Sequence, residues 1–154
     1  MKMNIQKFAG ANGATGVVPC YEGMFKLGAN KTSATTISDM ESCSFSFDNG
    51  VEEWYAYGQE GWVNRLPTAK SVTISIKGKR CIGDTGNDYV AGKAFKNGQN
   101  AMGYFAIVFP DGTEVSWEKA VFSVTALNAA DSTNAAPLEF DVMSNGKPTI
   151  TPAA

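Results

Sequence analysis

Apolar and polar residues alternate with a two-residue period along much of the chain, the pattern of strands that bury one face. Residues 1–20 break that pattern; they are rich in Gly, Ala and Asn and read as a flexible arm. Tyr21–Leu27 is a candidate first strand, and Gly28–Ser38 is again small and polar. Cys43, Phe45 and Phe47 then alternate with serines, and Asp48-Asn49-Gly50 supplies a tight turn into a returning arm, Val51–Tyr57. Trp62–Leu66 follows, and Pro67-Thr68-Ala69 breaks the run. The most regular strand comes next, with Val72, Ile74 and Ile76 facing one way and Ser71, Thr73, Ser75 and Lys77 the other.

One helix is predicted, from Asn87-Asp88 to Asn97-Gly98. Asn or Asp suits its N-cap, Lys93 and Lys96 suit the negative C-terminal end, and Gly98 suits a left-handed stop. Val90 with Ala94, and Ala91 with Phe95, would dock it on a sheet. The rest reads as a meander. Tyr104–Phe109 is a continuous apolar run, expected of a strand covered on both faces. Pro110-Asp111-Gly112 turns the chain into Thr113–Leu127. There the apolar positions change parity, from Val115 and Trp117 to Phe122, Val124 and Ala126, so a bulge or break is expected near Glu118-Lys119. Leu138, Phe140 and Val142 mark the last strand, and Asn145-Gly146 opens a Pro- and Thr-rich tail.

Composition narrows the fold class. The 154 residues include 47 of Val, Ile, Phe, Tyr, Trp and Thr, but only four Leu, which suits pleated surfaces better than helices. A helical bundle and a coiled coil are excluded. The expectation is a mainly β fold of two packed antiparallel sheets, sandwich- or barrel-like, with one flanking α-helix. Residues 1–36 would form the N-terminal arm, 37–147 the β-sandwich domain, and 148–154 a short C-terminal tail.

Charge and chemistry narrow the function. A formal net charge of −2 leaves no positive excess to condense on phosphate, which disfavours a dedicated nucleic-acid or membrane binder. With no histidine at all, Ser-His, Cys-His and His-ligated metal chemistry is excluded. Cys20, Cys43 and Cys81 form no C-x-x-C pair; Cys43 reads as a small buried thiol beside the phenylalanines, in a reducing compartment. The N-terminus lacks the apolar stretch of a signal peptide, and no run is long enough to span a bilayer, so synthesis in the cytoplasm is expected.

The remaining motifs carry little chemistry. Gly10–Gly16 lacks the Lys-Ser/Thr of a phosphate loop. Asp84-Thr85-Gly86-Asn87-Asp88 has calcium-type donors but no bidentate Glu, and helix capping already accounts for Asn87-Asp88. Glu52 and Glu53 would point to opposite strand faces and cannot flank one glycosidic bond together, and Glu60 completes no convincing pair with them. Lys70, Lys77, Lys79 and Arg80 read as a solvated strand face, or as partners for acidic residues of a neighbouring chain. No enzyme, metal or cofactor is expected.

The informative oddity is Glu53–Trp62. Trp54 and Ala56 occupy one strand face, and Tyr55 and Tyr57 the other, so both faces carry large aromatics. Such a hairpin meets either a partner subunit or a flat ligand such as a sugar ring, unless its own chain covers both faces. A carbohydrate-binding β-sandwich, with Trp54, Tyr55, Tyr57 and Trp62 as a stacking platform, is therefore one reading. The other follows from a resemblance. Trp54, the run Trp62-Val63-Asn64-Arg65-Leu66-Pro67-Thr68-Ala69-Lys70 continuing to Arg80, Gly83–Tyr89, Phe109-Pro110-Asp111-Gly112 and Leu138–Val142 stand in this order. Across roughly residues 38–147 the chain thus resembles the tail tube (major tail) proteins of bacteriophages and phage-like particles.

That resemblance implies two packed sheets with a flanking helix, in a structural subunit of a virion tail made in the host bacterial cytoplasm. It implies hexameric rings that stack into a hollow tube, contact with other tail proteins, and DNA passing through a lumen without specific binding. A mildly acidic chain suits such a lumen, because negative walls let DNA slide. It also places Trp54, Tyr55, Tyr57 and Trp62 on an extended hairpin against a neighbouring subunit, with Arg65 in the same stretch. Lys70, Lys77, Lys79 and Arg80 become candidates for inter-subunit ion pairs.

Overall fold

The structure is a computed structural model that describes residues 16–153. In chain order the strands are β1 (Met24–Gly28), β2 (Thr35–Thr36), β3 (Met40–Tyr55), β4 (Val63–Lys79), β5 (Met102–Val108), β6 (Glu114–Leu127), β7 (Pro137–Met143) and β8 (Thr149–Thr151), with one helix, α1 (Thr85–Ala91), between β4 and β5. All pairings are antiparallel, in the order β2-β1-β5-β6-β7-β4-β3, with β8 added beside β6. The fold is thus mainly β with one flanking helix, as expected. β1 lies in the segment read as a first strand, and β8 in the segment read as a tail.

The two layers are joined into one open sheet that rolls over a single core. β6 is the shared strand: its first half pairs with β5 and its second half with β7. An extra residue on β6 at Glu118-Lys119, opposite the Gly103–Phe105 step of β5, changes the parity of its inward positions. Trp117 and Phe122 can therefore both point inward, and the expected bulge is where the parity change puts it. A second extra residue, Thr125, lies between Val124 and Ala126. Leu27, Ile74, Ile76, Phe105, Phe122, Leu138, Phe140 and Val142 fill the core, and Phe105–Phe122 and Phe122–Phe140 contacts at 6.3 and 6.4 Å link the layers. All five residues from Gly103 to Ile107 in β5 are buried, as the continuous apolar run requires.

Three local expectations are corrected. Asp48-Asn49-Gly50 is not a turn but mid-strand, because β3 runs unbroken to Tyr55. Gly50 pairs with Ala69 and Val51 with Pro67, so Thr68 is the extra residue of a bulge. The bulge also lets Pro67, which has no N–H, sit inside β4 rather than break it. The true reversal is Ala56–Trp62, where Gly58, Glu60 and Gly61 take positive φ. The helix, second, is shorter than expected: it starts after Asp84 and ends at Gly92, and Phe95 is 94% exposed instead of docked. Cys43 and Phe47, third, are exposed rather than buried, because among the described residues β3 is an edge strand whose inward face is only partly covered.

A polar node fixes α1 to the root of the β3–β4 hairpin. Asp84 caps the helix by accepting from the Asn87 N–H at 3.0 Å, and it accepts from Ser38 N and Oγ at 3.1 and 3.0 Å. Partial burial opposes its charge, but these donors outweigh it and hold the carboxyl below its ordinary pKa. Asn87, fully buried, accepts from Arg80 at 2.8 Å and donates to the Lys79 and Ser38 carbonyls. Arg80 also pairs with Asp88 at 2.7 Å. The helix closes the core with Val90, and Tyr89 meets Phe122 edge to face at 6.1 Å.

Candidate functional site

The β3–β4 hairpin outgrows the body it is rooted in. β7 pairs β4 only from Thr73 to Lys79, so beyond Phe47 and Val72 the two strands pair only with each other. The register assigns the faces. Val51 opposite Pro67, Glu53 opposite Arg65 and Tyr55 opposite Val63 continue the inward face of Val72, Ile74 and Ile76. Leu66 and Trp54 lie on the other face, opposite Glu52 and Asn64. Both faces carry apolar groups and neither is covered among the described residues: Phe47 is 67%, Tyr55 71% and Trp62 76% exposed, and Tyr57 at the tip is fully exposed. Among the described residues β3 has no strand neighbour along its outer edge.

The aromatics do not form one platform. Trp54 and Tyr55 project to opposite faces, and Tyr57 and Trp62 sit in the reversal, so a sugar ring could not stack on all four together. The charged residues also separate. Lys70 lies on the inward-face side of β4, whereas Lys77 and Lys79 lie on the outer side. Lys77 is in register with Glu139, and Lys79 approaches Glu41 at 3.7 Å in an exposed pair. Arg65 meets Glu53 at 2.8 Å, also exposed. Arg80, whose side chain is only 13% exposed, is committed to Asp88 and Asn87 within its own chain. Lys70, Lys77, Lys79 and Arg80 therefore make no continuous basic surface.

A second feature has no precursor in the sequence pattern. Where the rolled sheet stays open, a groove of about 490 Å³ runs between the start of β1, the start of β3 and the β5–β6 turn. Cys20, Met24, Phe25, Met40, Phe45 and Phe109 line it, and Phe45 and Phe109 meet across it at 5.8 Å. Cys43 also lines it, and desolvation there, with Cys20 nearby as the smaller cause, pushes its thiol up to about 11. These side chains come from three distant segments, so no local motif could announce them. Only the topology brings them together.

The other sequence candidates dissolve into structure. Asp84 and Asp88 cap and pair as described, and no cluster of three or more metal-ligating residues exists among the described residues. The glycine-rich stretch 10–16 lies, apart from Gly16, outside the described residues. No helix among the described residues is long and apolar enough to cross a membrane.

No protein-family model and no curated relative matches the chain by sequence. Solved structures do match. A chain from the tail of an empty gene transfer agent particle, refined with C6 symmetry, superposes with a TM-score of 0.68 at 22% identity, covering 88% of this chain and 99% of that one. The tube-terminating cap of the anti-feeding prophage gives 0.63 at 17% identity, over 98% and 100% of the two chains. A chain of the sheath/tube terminator of an extracellular contractile injection system gives 0.62 at 15% identity, over 90% and 99%. The rolled, eight-stranded antiparallel sheet with one flanking helix is the fold shared by these tail and tube proteins of phage-like particles.

Proposed function

We propose that the chain is a structural subunit of the tail tube of a phage or phage-like particle. Copies associate into hexameric rings, the rings stack into a hollow tube, and DNA passes through the lumen without specific binding. The observation that carries this reading is the projecting hairpin. An isolated small domain does not leave Phe47, Val51, Tyr55, Tyr57, Trp62 and Leu66 in water on a strand pair that only pairs with itself. A hairpin alone is marginally stable, so its distal half is completed by contact with neighbours. The likeness of fold to a C6-symmetric tail supports six copies per ring.

In this reading Trp54, Tyr55, Tyr57, Trp62 and Arg65 lie at subunit contacts. Lys70 and Lys77 serve as ion-pair partners across them, Lys79 assists where its exposed pair with Glu41 opens, and Arg80 acts from within by holding the hairpin root. Other tail proteins meet the ends of the tube. Sedimentation velocity and negative-stain microscopy of the purified chain over a concentration series test this. Rings or tubes with a central channel are expected; a monomer at every concentration and salt would overturn it.

A further inference from the structure

We propose that the groove is the docking site of the chain's own residues 1–8, laid as an extended segment along the outer edge of β3. The groove is a seam in the sheet. The strand order begins at β2-β1 and ends at β3, and the groove lies between the starts of β1 and β3, whose edges are not paired with each other. Ser42 and Cys43 project to opposite faces of β3, yet both line it, so it follows the edge of that strand rather than one face. On the other wall, β2 pairs β1 only at Lys26 and Leu27, which leaves Met24 beyond its reach. Two open strand edges with the rings of Phe25, Phe45 and Phe109 between them form a slot for one more extended segment.

Place, pattern and charge select the occupant. Cys20 and Tyr21 line the groove, and only Gly16–Pro19 separate them from residues 1–15, which lie outside the described residues. A segment tethered so closely meets the groove at an effective concentration in the millimolar range, without a second molecule. Ala9–Pro19, eleven residues rich in Gly and Ala, can span roughly 36 Å, enough to bring residues 1–8 back to β3. Met1, Met3 and Ile5 alternate with Lys2, Asn4 and Gln6, the period of a strand with one apolar face. That face matches the thioethers and rings of the groove. Residues 1–21 contain Lys2 and Lys7 and no acidic residue. Glu41 is the one charged residue lining the groove among the described residues, and its pair with Lys79 is long and exposed. The docked segment covers Met40–Phe45 and leaves the β3 edge open beyond them.

Thiol labelling tests the docking in the dilute, monomeric full chain. Peptide mass spectrometry after maleimide treatment reads Cys43, in the groove, separately from Cys81, outside it. Met3→Asp with Ile5→Asp should speed labelling of Cys43 at least about tenfold and leave Cys81 unchanged. Equal Cys43 rates in parent and variant overturn the proposal. So does protection of Cys43 in the parent that appears only as concentration rises, which assigns the groove to a second copy. Hydrogen exchange on the unmodified chain answers without any substitution, should the variant fail to fold. Between Met40 and Phe45, the amides that face away from β4 should be protected as the β4-facing ones are. Exchange of the outward amides at the rate of an unstructured peptide overturns the docking. Both measurements are made on the monomer, so a chain that never polymerises would overturn the tail-tube reading and leave the docking standing.

Discussion

Replacing Gly78 by Ala tests how rigidly the hairpin is rooted. Gly78 is buried in β4, opposite Met40 on one side and Leu138 on the other. A Cβ there would collide with the Asp39 carbonyl oxygen and lie 2.6 Å from the Met40 Cα. Both are backbone atoms and neither can swing away as a side chain would. Retreat of Asp39 would also stretch its carbonyl's bond to the Lys79 N–H, now 2.8 Å, and Asp39 already holds a positive φ of 63°. Overpacking typically costs about 1–3 kcal/mol, and a weakened backbone hydrogen bond adds about 1 kcal/mol. The lower entropy of the unfolded Ala chain returns about 0.4–1 kcal/mol. The net expectation is a loss of about 2–3 kcal/mol, or roughly 4–12 °C in Tm for a domain of this size. Gly92→Ala is the control, since its Cβ would lie 3.4 Å from the Asp88 carbonyl at an ordinary helical φ of −66°. It should leave Tm unchanged or raise it slightly. Calorimetry of both variants decides the matter, and a Gly78→Ala protein within about 1 °C of the parent would refute a fixed root.

Asn87→Ala should cost about 3 kcal/mol by urea titration, because it strips the Arg80 guanidinium and the Lys79 carbonyl of a buried partner at once. Asp84→Asn should flatten the acid limb of stability. Its folded pKa is lowered, so its contribution is full above the ordinary carboxyl value, about 3.9, and fades as pH falls through the folded value. Urea midpoints between pH 5 and 3 should therefore drop less in the variant than in the parent. Trp62→Ala should change folding stability by less than about 0.5 kcal/mol, as expected of an exposed loop residue, yet raise the concentration needed for assembly at least about tenfold.

Much of the sheet is legible from parity alone. The inward set Val72, Ile74, Ile76, the final strand through Phe140, and the β6 bulge all follow from which residues share a face. The exposed double-faced aromatics of the hairpin are legible for the same reason. What parity cannot reveal is sheet order. Cys43 and Phe47 carry the pattern of a buried strand, but β3 lies at the edge and reaches past the opposing layer. Asp48-Asn49-Gly50 has turn chemistry, yet a bulge at Thr68 absorbs the irregularity and the reversal falls at Gly58–Gly61. The helix ends early because beyond Gly92 the chain tightens into three-residue turns, Lys93 N–H bonding the Val90 carbonyl and Ala94 N–H that of Ala91, and Phe95 stays exposed. The groove is illegible in principle, being made by the closure of segments far apart in the chain.

The outer edge of β3, unpaired among the described residues, would also govern, on the tail-tube proposal, what happens to a subunit before it meets its neighbours. Sixteen residues of strand with an open outer edge form a template on which any extended chain could nucleate a misfolded fibre. The hairpin carries its own defences: Asp48, Glu52 and Glu53 along β3, and on β4 the bulge at Thr68 beside Pro67. Together they discourage a flat, in-register intruder while leaving a specifically shaped partner admissible. On the tail-tube proposal, newly made chains would thus resist unwanted strand addition until they met their neighbours, and strand-breaking features that look like blemishes in a β protein would become a safeguard against premature polymerisation.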